Sequence, residues 1–375
     1  MSNHAADRTA GYRSEEVGIP VARSLMDRIG VEIRRLYPGY FALVMATGII
    51  SNAALYLGYR EISDFLLAVN LAAFPALALA LAIRAVRFRR DLWTDLTNPR
   101  LVFSFFTIVA AADVFGLQLV LRGHAAPAIA LWLFALVVWV MLAYLSFSVL
   151  TFVDTESGID VVHGGWLIAI VGTESLVLLG AQVAPQFGAL APLTFVTIYS
   201  LWGIGVAFYG IFMTLFSYRL FFLRVEPADI TPLLWVVMGA AAIATNAGST
   251  LILTDPAMPF LLAMRPFVDG MTLVLWAWAT WWIPLLVILG VWKHGVRREP
   301  LVYHPMYWSL VFPLGMYTLA TYRLSLAADF PPLQWVPHTM IWVALAAWTL
   351  TMIAAIVAFW RVLRPSAERA SAESA

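Results

Sequence analysis

The chain has 375 residues, 62% apolar and only 12% charged, with a mean hydropathy of +0.84. Soluble domains carry about twice that share of charge, so this composition excludes an ordinary water-soluble fold. A net charge of +1 gives no basis for binding nucleic acid, and the absence of cysteine excludes disulfides, thiolate metal sites and thiol catalysis.

Residues 1–36 are polar and mixed in charge, which is not the pattern of a cleavable secretory signal. Within them, Val21, Leu25, Ile29 and Ile33 recur every fourth residue opposite Arg23, Arg28 and Arg34. That spacing predicts an amphipathic helix, lying on the inner leaflet or docked on the bundle. Apolar runs long enough to cross about 30 Å of hydrocarbon then follow one another from residue 37 to 363. They predict ten spans, near 38–58, 63–86, 100–121, 126–151, 162–183, 190–217, 231–253, 266–291, 305–323 and 335–360. Residues 364–375 form a short low-complexity tail. With a cytoplasmic N-terminus, the inner segments hold 19 of the 23 lysines and arginines. Only Arg60, Arg122, Arg265 and Arg323 fall outside, the asymmetry that the positive-inside rule requires. The acidic inner loop at 154–160 dissents, but carboxylates weigh little in that rule. A multi-pass plasma-membrane protein, in a bacterium the inner membrane, with both termini cytoplasmic is expected.

Odd and even spans differ. The odd spans, all parallel in this topology, carry helix breakers and polar atoms near mid-depth. Thr47 and Gly48 stand in the first, Asp113 in the third, and Gly172, Thr173 and Glu174 in the fifth. Asn246 and Gly248 stand in the seventh, and Phe312, Pro313 and Gly315 in the ninth. Even spans such as 126–151 and 335–360 are aliphatic and Trp-rich, like walls facing lipid. Small residues also let helices pack closely. Five parallel spans with the same mid-depth polarity nevertheless point to a shared polar lumen, since broken or polar helix is tolerated at membrane depth only beside protein or water. The expected architecture is all-α: five helical hairpins, odd helices around a central pore, even helices outside. Pro313 leaves the Ser309 carbonyl without its helical partner and is expected to bend the ninth span. Phe312 then either stoppers the lumen as an apolar constriction or packs on a neighbouring helix.

YPGYFALVMATGIIS at 37–51, WLIAIVGTESLVLLG at 166–180 and YWSLVFPLGMYTLAT at 307–321 resemble the tellurite-resistance/C4-dicarboxylate transporter family. Plant slow anion channels and a fungal malate permease belong to the same family. The resemblance implies quasi-fivefold hairpins, homotrimers with one pore per subunit, and a ninth-helix phenylalanine that plugs the pore. The W-x-x-x-F-P run from Trp308 to Pro313 assigns that plug to Phe312. Asp113 and Glu174 depart from the nearly uncharged pores of the family.

No lysine or arginine falls in the middle of an odd span, so an anion would be attracted by dipoles, including the helix starts on the cytoplasmic side. An ionised carboxylate at mid-depth costs at least about 2.5 kcal/mol and repels an anion. Asp113 and Glu174 are therefore candidates to carry protons coupled to transport, or else carboxyls packed between helices. The six histidines show no HExxH or paired-ligand spacing, and no P-loop is present, so neither a metal, a cofactor nor enzymatic activity is expected. The sequence points to an anion-permeating, channel-like protein gated by Phe312, with the lipid bilayer and a small anion as its partners. The alternative is a proton-coupled transporter of C4-dicarboxylates or of oxyanions such as tellurite or sulfite.

Overall fold

Thirteen α-helices account for most of the computed structural model, which describes residues 25–152 and 162–363. They are α1 (Leu25–Arg34), α2 (Ala42–Tyr56), α3 (Arg60–Arg87), α4 (Arg89–Leu96), α5 (Phe106–Val120), α6 (Ala125–Phe152) and α7 (Ile168–Val183). Then come α8 (Ala191–Phe222), α9 (Val236–Leu253), α10 (Pro259–Ala263), α11 (Arg265–Val291), α12 (Trp308–Ala327) and α13 (Trp335–Leu363). The acidic loop 154–160, the tail 364–375, Val21 and Arg23 lie outside the described residues. Within them α1 packs against α3 and α13, and Arg34 on it pairs with Asp91 at 3.1 Å.

Among the described residues, eight helical stretches are long and apolar enough to cross a membrane. Ten were expected, and the difference has two local causes. The stretch Gly164–Phe222 holds both α7 and α8, joined by a 3-10 segment in which Gly188 turns the chain at φ 54°. A residue with a Cβ rarely adopts that conformation. The other cause is α12, diluted in apolarity by Ser309, Pro313, Gly315, Tyr317 and Thr318, which is not among the eight.

Burial divides the stretches sharply. Those holding α2, α5, α7 and α9 are 78%, 100%, 94% and 94% buried over their most apolar windows, against 11%, 22%, 22% and 17% for α3, α6, α11 and α13. From Trp308 to Thr321 every residue of α12 but Leu310 is buried, which puts it with the first group. The five buried helices form a closed ring: α2 packs on α5, α5 on α7, α7 on α9, α9 on α12, and α12 on α2. Around them α3, α6, α8, α11 and α13 each pack on the ring helix before them in the chain and also touch the next one. Hydrogen bonds cross to that next helix. Trp139 on α6 donates to the Thr173 hydroxyl at 2.8 Å, and Trp202 on α8 to the Ala244 carbonyl at 3.2 Å. Trp276 on α11 donates to Thr321 at 3.0 Å, and Trp348 on α13 to Thr47 at 2.9 Å. Each outer helix thus fills the groove between two ring helices; the inward tryptophans of α6, α8, α11 and α13 are anchors rather than lipid contacts, and on α3 Asn70 takes that part, donating to Gln118 of α5 at 2.8 Å.

The ring helices all start the same way, after a 3-10 turn: Pro38–Phe41, Val102–Phe105, Gly164–Leu167, Pro232–Trp235 and Pro305–Tyr307. Proline opens three of these turns, where its missing N–H costs nothing and its fixed φ suits the helix start. Histidine precedes two of them, His163 accepting the Gly165 N–H and His304 the Met306 N–H on Nδ1. Basic side chains from outer helices bind the approach to three turns. Arg84 donates to the Leu36 carbonyl at 2.9 Å, Arg219 to Val162 at 2.7 Å, and Lys293 to Ile230 at 2.8 Å. Leu36, Val162 and Ile230 each stand two residues before their turn. An outer helix end therefore fixes where a ring helix begins.

Candidate functional site

A small cavity opens at the C-terminal ends of the ring helices, and all five line it. Tyr56 comes from α2, Leu117 from α5, Leu178 and Gln182 from α7, Asn246 and Thr250 from α9, and Leu319 and Arg323 from α12. Three of the ring helices contribute a pair spaced i, i+4, so the lining face of each is known. The cavity lies at the opposite end of the ring from the helix starts, where the sequence put the anion-attracting dipoles. Its charge is Arg323, whose guanidinium carbon lies 5.4 Å from the centre of the Tyr56 ring and whose Nη2 is 3.4 Å from Thr250 Oγ1.

Counting back along the lining faces locates the expected gate. Phe312 stands seven residues, nearly two turns, before Leu319, on the same face of α12, and is 2% exposed. The same step on the other ring helices reaches Ile49, Ala110, Val171 and Gly239, all buried. Opposite Phe312 the layer thus holds aliphatic side chains and one glycine. Pro313 is seated against α9, where a Cβ on Gly239 would come within 2.7 Å of its Cγ. The helix α12 is continuous from Trp308 to Ala327 through both Pro313 and Gly315, so neither interrupts it.

Of the six positions expected along the lumen, Asn246 lines the cavity and five stand in helix seams. Thr47 and Thr173 accept the indole N–H groups of Trp348 and Trp139, which turns their hydroxyls toward outer helices. A Cβ on Gly48 would strike Val114 and Asn70, one on Gly172 would press on Phe106, and one on Gly248 would strike Thr272. Gly315 is closed by Ile49 and Ile50 of α2 in the same manner. These glycines let neighbouring helices touch.

The two carboxyls occupy matching positions, four residues before Leu117 and Leu178, one turn deeper than the cavity. Each turns sideways rather than toward the lining face. Asp113 reaches α7, where the Ser175 hydroxyl donates to its Oδ2 at 2.8 Å while Oδ1 has no partner. Glu174 is fully buried, and its Oε1 is the atom that a Cβ on Gly205 of α8 would strike. Among the described residues neither of its oxygens has a hydrogen-bond partner. Sequence reasoning missed Tyr56, Leu117, Leu178, Gln182, Thr250, Leu319 and Arg323 as a set. The i, i+4 pairs in the last turns of three ring helices were the available signal.

The model of the voltage-dependent anion channel (SLAC1) family matches residues 35–356. An uncharacterized transporter of Methanocaldococcus jannaschii is 24% identical over 336 residues, covering 86% of this chain and 92% of that protein. A sulfite efflux pump of Trichophyton rubrum is 21% identical over 347 residues, covering 86% and 90%. An uncharacterized membrane protein of Mycobacterium tuberculosis is 45% identical over 136 residues, 36% of this chain and 68% of that protein. Apolar helical stretches, a ring of buried helices and a match over nearly the whole chain agree. The chain is a multi-pass membrane protein of the SLAC1 voltage-dependent anion channel family, whose members are transporters and not enzymes.

Proposed function

We propose that this protein conducts small anions through the axis of its five buried helices, with Phe312 as the stopper. Ten spans are inferred, the eight apolar stretches with α7 and α8 counted apart and α12 added. Both termini are taken as cytoplasmic, so the Arg323 cavity is the outer mouth. Homotrimeric assembly and a bacterial inner-membrane location are carried as part of the same proposal. One observation carries the reading: a cavity lined by all five ring helices lies two turns above a buried phenylalanine on the same helix face. An apolar ring at a constriction excludes water and hence ions, and its removal would let both through. Asn246 is the lining polar group nearest the constriction; Thr47, Gly48, Gly172, Thr173 and Gly248 shape the wall behind it.

The unpartnered Glu174 carboxyl, one turn from the cavity, favours a second reading. In it, proton uptake at Glu174 or Asp113 couples to movement of a C4-dicarboxylate or an oxyanion such as tellurite or sulfite. Purified protein in liposomes separates the two. Passive chloride and nitrate flux that is low in the native chain and rises at least tenfold in Phe312→Ala, independent of a pH gradient, is the channel outcome. Saturable uptake of malate or sulfite that needs the gradient and disappears in Glu174→Gln is the coupled outcome. Cation preference, or no change in Phe312→Ala, would reject the pore.

A further inference from the structure

We infer that the mouth of the ring holds a binding subsite for a monovalent oxyanion, built on Arg323 with Asn246 and Gln182; this rests on the pore reading above. The guanidinium is fixed from two sides. Thr250 gives its own hydroxyl proton to the Asn246 carbonyl at 2.8 Å, so toward Arg323 it acts as acceptor. Tyr56 covers one face of the guanidinium and is itself packed on Tyr322 at 6.0 Å. The ion pairs of Arg34, Arg60, Arg84, Arg122 and Arg219 all end on aspartates, whereas no ion pair is formed by Arg323 among the described residues and no carboxylate lines its cavity. A held cation without a counter-charge, over a floor of Leu117, Leu178 and Leu319, is a site awaiting an anion.

The neighbouring donors choose the kind of anion. Asn246, 1% exposed, has as amide partner only the Met316 thioether at 3.6 Å, a weak acceptor that leaves its N–H groups available. Gln182 adds a second amide on the same wall. One turn below Tyr56 on α2 stands Asn52, fully buried with both amide atoms unpaired. A planar fork flanked by amides suits an anion with two or three coplanar oxygens better than a spherical halide, because the fork bonds two oxygens at once. A single positive charge, with no second cation on the lining, points to a small monovalent species. Nitrate has that chemistry.

The test uses the full chain in detergent, titrated with sodium nitrate and separately with sodium chloride, and read as a saturable rise in melting temperature. Nitrate is expected to stabilise at least tenfold lower concentration than chloride. The half-saturating nitrate concentration is expected to rise about tenfold in Arg323→Gln and about threefold in Gln182→Leu. Arg323→Lys, which keeps the charge and loses the fork, is expected to narrow the difference between nitrate and chloride. Equal half-saturation in all variants, or chloride as effective as nitrate, overturns the subsite. If Phe312→Ala fails to raise liposome flux while nitrate binding still depends on Arg323, the pore reading fails and the subsite stands. If flux rises and binding ignores Arg323, only the subsite falls.

Discussion

Asp113 and Glu174 occupy matching turns of adjacent ring helices yet meet different surroundings. Asp113 leans toward the following ring helix, which presents the Ser175 hydroxyl, whereas Glu174 lies against Gly205 of the outer helix α8, where there is no side chain to donate. One carboxyl therefore has a hydroxyl partner and the other has none, although burial alone would demand one for both. The Ser175 hydroxyl is 2.8 Å from both Asp113 Oδ2 and the Gly172 carbonyl. Its single proton can serve one of them at a time, so removing it leaves the buried carboxyl without its donor. Ser175→Ala is expected to cost about 1–3 kcal/mol of stability, the usual penalty for an orphaned buried group. Glu174→Gln removes no hydrogen bond and is expected to leave the melting temperature unchanged or higher. Thermal unfolding of the two variants in one detergent at pH 7 checks the contrast, and an equal loss in both would mean that the Asp113–Ser175 contact contributes nothing. The residue scale is also where the sequence was least legible. A glycine or threonine in a buried helix reads the same whether it meets water or a neighbour. Only the contacts of Gly48 with α5, Gly315 with α2 and Thr47 with Trp348 assign them to seams.

Individual helices were far more legible, because an apolar run of span length between polar breaks has few alternatives in a bilayer. All the expected spans overlap helices of the model, and the contrast between polar odd spans and aliphatic even spans corresponds to the buried and exposed sets. The entry turns were hidden, being marked only by a proline or a histidine before an aromatic run. Their energetics rest on atoms supplied from elsewhere in the chain. Arg84 is 3% exposed and holds Asp95 at 2.6 Å together with the Arg34 and Leu36 carbonyls, so its loss strands a carboxylate and two acceptors. Arg84→Ala is expected to cost about 3–5 kcal/mol, as for breaking a buried pair from one side. Lys293→Ala, which frees one carbonyl, is expected to cost about 1 kcal/mol. The loop charges that orient the chain in the membrane are thus also the pins that set ring-helix starts. The histidine turns add a pH dependence with a definite sign. A protonated ring nitrogen donates and cannot accept, so the His304 cap exists only in the neutral form. Burial holds the His304 imidazole below its ordinary value of 6.5. Its contribution is therefore complete above that pH and is lost as pH falls below it. His304→Asn, which keeps an acceptor that does not titrate, is expected to flatten the fall in melting temperature between pH 7.5 and 5.

At the scale of the whole molecule, the ring closes only because the last pair of long helices returns to the first. Across 301 residues Trp348 on α13 bonds Thr47 on α2, and α12 packs directly on α2. Contacts of that separation mean that the cavity and the Phe312 layer cannot assemble until the C-terminal helices are in place, while each earlier pair is local and inserts on its own. The direction of insertion then decides which way the Arg323 mouth faces. It opens outward if the basic ends of α3, α8 and α11 stay in the cytoplasm, as the charge count requires. A chain with no native cysteine allows a clean measurement, because any single introduced thiol is the sole target of a maleimide. Glu61 follows α2 on the mouth side and Glu299 follows α11 on the opposite side, and both side chains are exposed. In intact cells Glu61→Cys is expected to react with a membrane-impermeant maleimide, and Glu299→Cys only after permeabilisation. The reverse pattern would turn the mouth to the cytoplasm and make the Arg323 subsite a port of exit rather than of external entry. Labelling of both from outside would mean that the ring does not span the bilayer as five parallel helices.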